Sequence, residues 1–110
     1  MTQVTIYTSS SSGEVVGFRA EGHAGYADAG YDIVCAAASV LIINTVNSIE
    51  QFTKDSCVAE ADEDNTVIQL MVKSSSQSAE LKVLLSALVL GLKTIADDNP
   101  NYLSITFEEV

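Results

Sequence analysis

The stretch from Gly22 to Leu41, GHAGYADAGYDIVCAAASVL, changes character once, at Asp32. Before Asp32, glycines at 25 and 30 and tyrosines at 26 and 31 make a turn-rich passage that follows the only histidine, His23. After it come small and apolar residues, beginning with Ile33, Val34 and Cys35. Val34, Ala37, Ala38, Leu41, Ile42, Ile49 and Phe52 recur at spacings of three and four, the period of a helix with one apolar face. The pattern predicts a helix from Ile33 to about Phe52 with Asp32 as its N-cap, where a carboxylate accepts a hydrogen bond from a free first-turn N–H. Ala36, Val40, Ile43 and Val46 carry the apolar surface further round. A helix of that kind is buried centrally, or shared between a sheet and a second subunit.

The chain outside this stretch supplies the sheet. Thr2 to Thr8 and Glu14 to Glu21 alternate as β-strands do, and the serines of 9–12 with Gly13 turn one into the other as a hairpin. Val16, Phe18 and Ala20 are expected on one face of the second strand, Arg19 and Glu21 on the other. Ser56 to Asp62 and Thr66 to Lys73 read as two more strands, joined by the acidic turn Glu63-Asp64-Asn65. Ser74 to Ser78 is a polar break suited to capping a second helix, whose stripe is Leu81, Leu84, Leu85, Leu88, Leu92 and Ile95. Pro100 ends that helix, since proline cannot continue the ladder. A last strand spans Tyr102 to Glu108. The order is ββαββαβ, an α+β domain over residues 1–110 with one mostly antiparallel sheet and two helices.

Composition narrows the functional classes. With 47% hydrophobic residues in 110, the chain can bury roughly two-thirds of its extended surface without staples. Two cysteines make no disulfide framework, and their spacing matches no zinc motif. The N-terminus lacks the basic and apolar regions of a signal peptide, and polar residues interrupt the apolar runs, so a reducing cytoplasm is expected rather than a membrane. Fifteen acids against five bases give a net charge of −10, which disfavours a nucleic-acid backbone. That charge either aids solubility alone or steers a basic protein or peptide to the surface.

No P-loop, GxGxxG, GxSxG or HExxH occurs, and His23 with Cys35 remains as the chemistry-bearing pair. A cysteine opening a helix has its thiolate favoured by the unpaired N–H groups there, and a nearby imidazole can take its proton. The plainer reading makes Cys35 a small buried hydrophobe and His23 a loop residue with a satisfied hydrogen bond. Cys57, in strand-like surroundings, reads as sheet filler. Asp32 either caps only or also orients His23, and its charge next to a thiol would oppose ionisation. Ser39 lies one turn beyond Cys35 on the same side. It either bonds back to the helix or reaches the sulfur or a substrate backbone. Tyr26 and Tyr31 are either lid residues that contact a peptide or loop anchors.

Taken together, the GHAGYA and DIVCAA blocks at this separation resemble the signature of the ribosomal-processing cysteine protease family, Prp. Gly22, His23, Asp32, Cys35 and Ser39 fall on its matching positions. Ala38 departs, standing where the pattern often has a bulkier β-branched residue. The resemblance covers the whole chain and implies a cytoplasmic, homodimeric cysteine endopeptidase that needs no cofactor and no metal. Its substrate would be the short N-terminal extension of a basic large-subunit ribosomal protein, cut after an aromatic residue. Cys35 would be the nucleophile, His23 the general base, and Ala24 to Tyr31 a mobile cover. The alternatives are a non-catalytic ribosome- or peptide-binding module, and more distantly a redox-sensing thiol protein. Turnover that depends on Cys35 separates the first reading from both.

Overall fold

The computed structural model describes residues 2–22, 29–62 and 64–110, and for residues 29–32 the backbone alone. The elements follow the expected order: β1 (Thr2–Thr8), β2 (Val15–Glu21), α1 (Ala29–Phe52), β3 (Cys57–Asp62), β4 (Val67–Val72), α2 (Ala79–Asp98) and β5 (Leu103–Glu109). They form one five-stranded sheet in the order β3-β4-β2-β1-β5. Only β1 and β5 run parallel; the other neighbours are antiparallel.

Alternation explains how the layers assemble. Val4 and Ile6 from β1, Phe18 and Ala20 from β2, Leu70 from β4 and Leu103 from β5 are buried on one face. Both helices cover that face, α1 through Val34, Ala38, Ile42 and Ile49, and α2 through Leu81, Leu85, Leu88 and Leu92. The helices approach closely at Gly91, where an added Cβ would come 3.0 Å from the Leu41 side chain. Ser78 caps α2 as the polar break suggests: its hydroxyl accepts from the Leu81 N–H at 3.1 Å. The Ser78 N–H and hydroxyl both donate to the Asp55 carboxylate. Those bonds, the hydroxyl first, hold that carboxyl below its ordinary range.

By length and composition the segment Ile33–Phe52, with mean hydropathy 1.6, is apolar enough to cross a bilayer. Its seat over the sheet accounts for the composition of its inner face, since Val34, Ala38, Ile42 and Ile49 belong to the core. Thr45, a polar residue on that face, is buried with its hydroxyl donating to the Leu41 carbonyl.

Two local expectations are corrected. A register shift between Tyr7 and Thr8 pairs Tyr7 with Gly17 but Thr8 with Val15, so Val16 is a bulge residue. The extra residue reverses the alternation, and Val15 rather than Val16 packs against the core. The second concerns α1, which begins at Ala29 rather than Ile33. Asp32 is therefore inside the first turn and not the N-cap. The tyrosine, glycine and aspartate of 30–32 have modest helix propensity, and the apolar stripe that follows overrides it.

Candidate active site

The earlier helix start changes the surroundings of Cys35. Counting Ala29 as first, Cys35 is the seventh residue of α1, in the second turn. Its N–H therefore belongs to the intrahelical ladder, bonded four residues back. The unpaired N–H groups lie one turn earlier, and the field of a helix end fades within that turn. The expectation that a helix N-terminus activates the thiol directly is weakened accordingly.

What the fold provides instead is a groove. A cleft of about 560 Å³ runs between the second to fourth turns of α1 and the β3–β4 hairpin. Cys35, half-buried, and Ser39, exposed, both line it, one turn apart on the same side of the helix. Ala38 and Ile42 from the helix and Ala20 and Ile68 from the sheet make its apolar floor. Ala61, Asp62 and Thr66 form the far wall, and Gly22 closes one end. The strand order causes this. β3 is the outermost strand on that side of the sheet, and from Val58 onward its residues are exposed.

Gly22 is held in place at that end. Its φ of +90° is in the region that side chains rarely adopt, and its carbonyl accepts a 3.0 Å hydrogen bond from the buried Thr2 hydroxyl. Thr2 is a site-supporting residue that the sequence reading missed. The pairing of Gln3 with Glu21 is what brings it beside Gly22, and that register is not visible in the chain itself.

The two charged residues at the groove lie near its lips. Glu21 pairs with Arg19 at 3.4 Å on the surface. Asp62 accepts hydrogen bonds from the Asn65 side-chain amide at 2.7 Å and from the Asn65 and Asp64 backbone N–H groups. The Asn65 side chain contributes most to holding the Asp62 carboxyl below its ordinary range, so it stays ionised near neutrality.

Cys57 is the contrast. It packs partly buried against the core, does not line the groove, and has its thiol raised above the ordinary value by burial and then by the Asp55 charge. Gly22, Cys35 and Ser39 thus come together while Cys57 stays apart. His23 and Tyr26 lie outside the described residues, as do the side chains of Tyr31 and Asp32. Residues 29–31, expected in the covering loop, are already helical. Among the described residues, no three His, Cys, Asp or Glu side chains gather as a metal site.

A family model for the cysteine protease Prp matches residues 1–104, nearly the whole chain. The chain belongs to the Prp family. Family members are cysteine proteases, hence hydrolases. The ribosomal processing cysteine protease Prp of Mycoplasma pneumoniae is 36% identical over 85 residues, covering 77% of this chain and 80% of that protein. The Bacillus subtilis Prp is 28% identical over 111 residues, with 96% of each chain covered. The crystal structure of the Prp from S. aureus in complex with a substrate peptide superposes with a TM-score of 0.89 at 23% identity. That match covers 98% of this chain and all of that one, and it shows the Prp fold.

Proposed function

We propose that this Prp-family chain is an endopeptidase with Cys35 as nucleophile and His23 as general base. Its substrate is the short N-terminal extension of a basic large-subunit ribosomal protein, cut after an aromatic residue in the cytoplasm. The observation that carries the reading is the groove: of the two cysteines, Cys35 alone opens onto it. Family membership supplies the reaction class, and the relatives' names, ribosomal processing protease, supply the substrate class.

The chemistry follows from a thiol in an apolar cleft. The Cys35 thiolate attacks the scissile carbonyl, and a tetrahedral intermediate collapses to a thioester as the amine leaves with a proton from His23. His23 then takes a proton from water, which hydrolyses the thioester. The Cys35 N–H is committed to the helix, so the helical donors left for the oxyanion are the N–H groups of residues 29–31. The net charge of −10 raises the encounter rate with a basic substrate.

The same reading includes a homodimer. Ile33, Val40, Val83 and Leu90 are 66–70% exposed, on the sides of α1 and α2 turned away from the sheet. With Ala37 and Ala87 they make an outer apolar surface that a second copy would cover.

The test is cleavage of a basic peptide carrying an aromatic residue before the cut. Cys35→Ala and His23→Ala should each abolish turnover while circular dichroism and Tm stay near wild type. Full activity in a folded Cys35→Ala variant would refute the assignment. Peptide binding without turnover by the wild type would favour the binding-module alternative.

A further inference from the structure

The sheet ends at β3, so among the described residues one side of that strand pairs with nothing. Which of its backbone groups face outward can be read from the ladder. The Ser56 carbonyl accepts from the Lys73 N–H at 2.7 Å, and Cys57 is opposite Val72, so Ser56 and Lys73 form a hydrogen-bonded pair. Antiparallel pairing alternates, so Val58, Glu60 and Asp62 turn their N–H and C=O groups towards β4. Cys57, Ala59 and Ala61 turn theirs away from it.

Edges of this kind are normally blunted by lysine, proline or a bulge. β3, CVAEAD, has neither residue, and its register with β4 is unbroken. It carries Glu60 and Asp62 instead, with Asp64 in the turn beyond. Two copies of the edge would bring like charges together, which disfavours self-pairing. A basic chain meets the opposite sign. Ala61 also lines the cleft into which Cys35 opens, so this edge and the groove are continuous.

We propose that the outward edge of β3 binds the substrate peptide as an added strand, a basic flanking segment pairing with Ala59 and Ala61 while the scissile bond lies in the groove at Cys35. This rests on the protease reading above and adds how the substrate is held. Main-chain pairing holds the peptide extended whatever its side chains, and the acidic residues select a basic flank. The small alanine side chains on the groove side leave room for the chain to pass.

The experiment is a backbone N-methyl scan of the peptide that the wild type cleaves, one nitrogen at a time, leaving two residues on either side of the cut unmodified. An added strand presents only alternate N–H groups to its neighbour. KM should therefore rise at least tenfold at every second position of the flank and stay within twofold between them. Ala59→Pro, which removes one outward N–H without touching the β4 ladder, should raise KM similarly. Its Cys35 should still react with iodoacetamide at the wild-type rate. If the wild type cleaves the peptide but the scan shows no alternation, the edge proposal is overturned and the protease reading stands. If no peptide is cleaved at all, the protease reading itself fails. A concentration-dependent dimer that Ala59→Pro dissolves would show that the edge pairs with a second copy, which also overturns the proposal. Should that variant not fold, the scan decides alone, since it leaves the protein unchanged.

Discussion

Gly22 offers a comparison in which the same backbone penalty is placed at two sites. Its φ is +90°, and Gly13 in the serine turn has a φ of +75°. Alanine at either position meets the same opposition between Cβ and the neighbouring carbonyl, about 1–2 kcal/mol. For a chain of this size that is a fall in Tm on the order of 5–10 °C. Around Gly13 there is open space, with nothing within 4 Å of an added Cβ. Gly22 lines the groove, is bonded through its carbonyl to Thr2 and immediately precedes His23. If the chain relieves strain at residue 22 by rotating, it turns the peptide that leads into His23, the proposed general base. Displacements near 1 Å there cost on the order of 100-fold in rate. Gly22→Ala should therefore lose ten- to hundredfold in kcat/KM, while Gly13→Ala changes it less than twofold. Peptide cleavage and thermal melts on the two variants in parallel give both quantities. Equal activity in two variants that lose equal stability would show that the conformation of Gly22 does nothing for the site.

Three further outcomes follow from the geometry. Cys57→Ser should retain activity, and iodoacetamide at pH 7 should label Cys57 slowly, because its raised thiol holds less than the few per cent thiolate of an ordinary cysteine. Ser78→Ala should lower stability by about 1 kcal/mol through the lost cap. The Asp55 carboxyl is depressed by Ser78, so that contribution is present above its unfolded value of about 3.9 and lost as pH falls through its folded value. The Tm gap between wild type and variant should accordingly narrow in acid without closing, since the bond to the Leu81 N–H remains. Leu90→Glu, on the exposed apolar surface, should give a folded monomer by analytical ultracentrifugation, and a wild type that is itself monomeric at micromolar concentration would contradict the dimer.

The elements were legible because their periods are clean. The alternation of Val4 and Ile6, and the leucines of α2 at three- and four-residue spacing, admit little else. The bulge at Val16 was not, since an extra residue leaves the composition of a strand unchanged and only the pairing partner shows it. The start of α1 was misplaced because Gly30, Tyr31 and Asp32 read locally as loop, while their helical state depends on the apolar turns behind them. At the site, Cys35, Ser39 and Gly22 were found from one contiguous motif. The far wall, Ala61, Asp62 and Thr66, is more than 20 residues away in sequence and arrives only because β4 pairs with β2. Thr2 was missed for the same reason.

Proteolysis by Cys35 requires its sulfur to form a covalent bond with the substrate. Mass spectrometry of acid-quenched enzyme, mixed with a peptide ester whose acylation outruns deacylation, tests it most directly. A hydroxylamine-labile acyl adduct of the N-terminal fragment is expected on the peptide that contains Cys35, absent in Cys35→Ala and unchanged in Cys57→Ser. An adduct on Cys57, or cleavage by Cys35→Ala with no adduct at any cysteine, would contradict it.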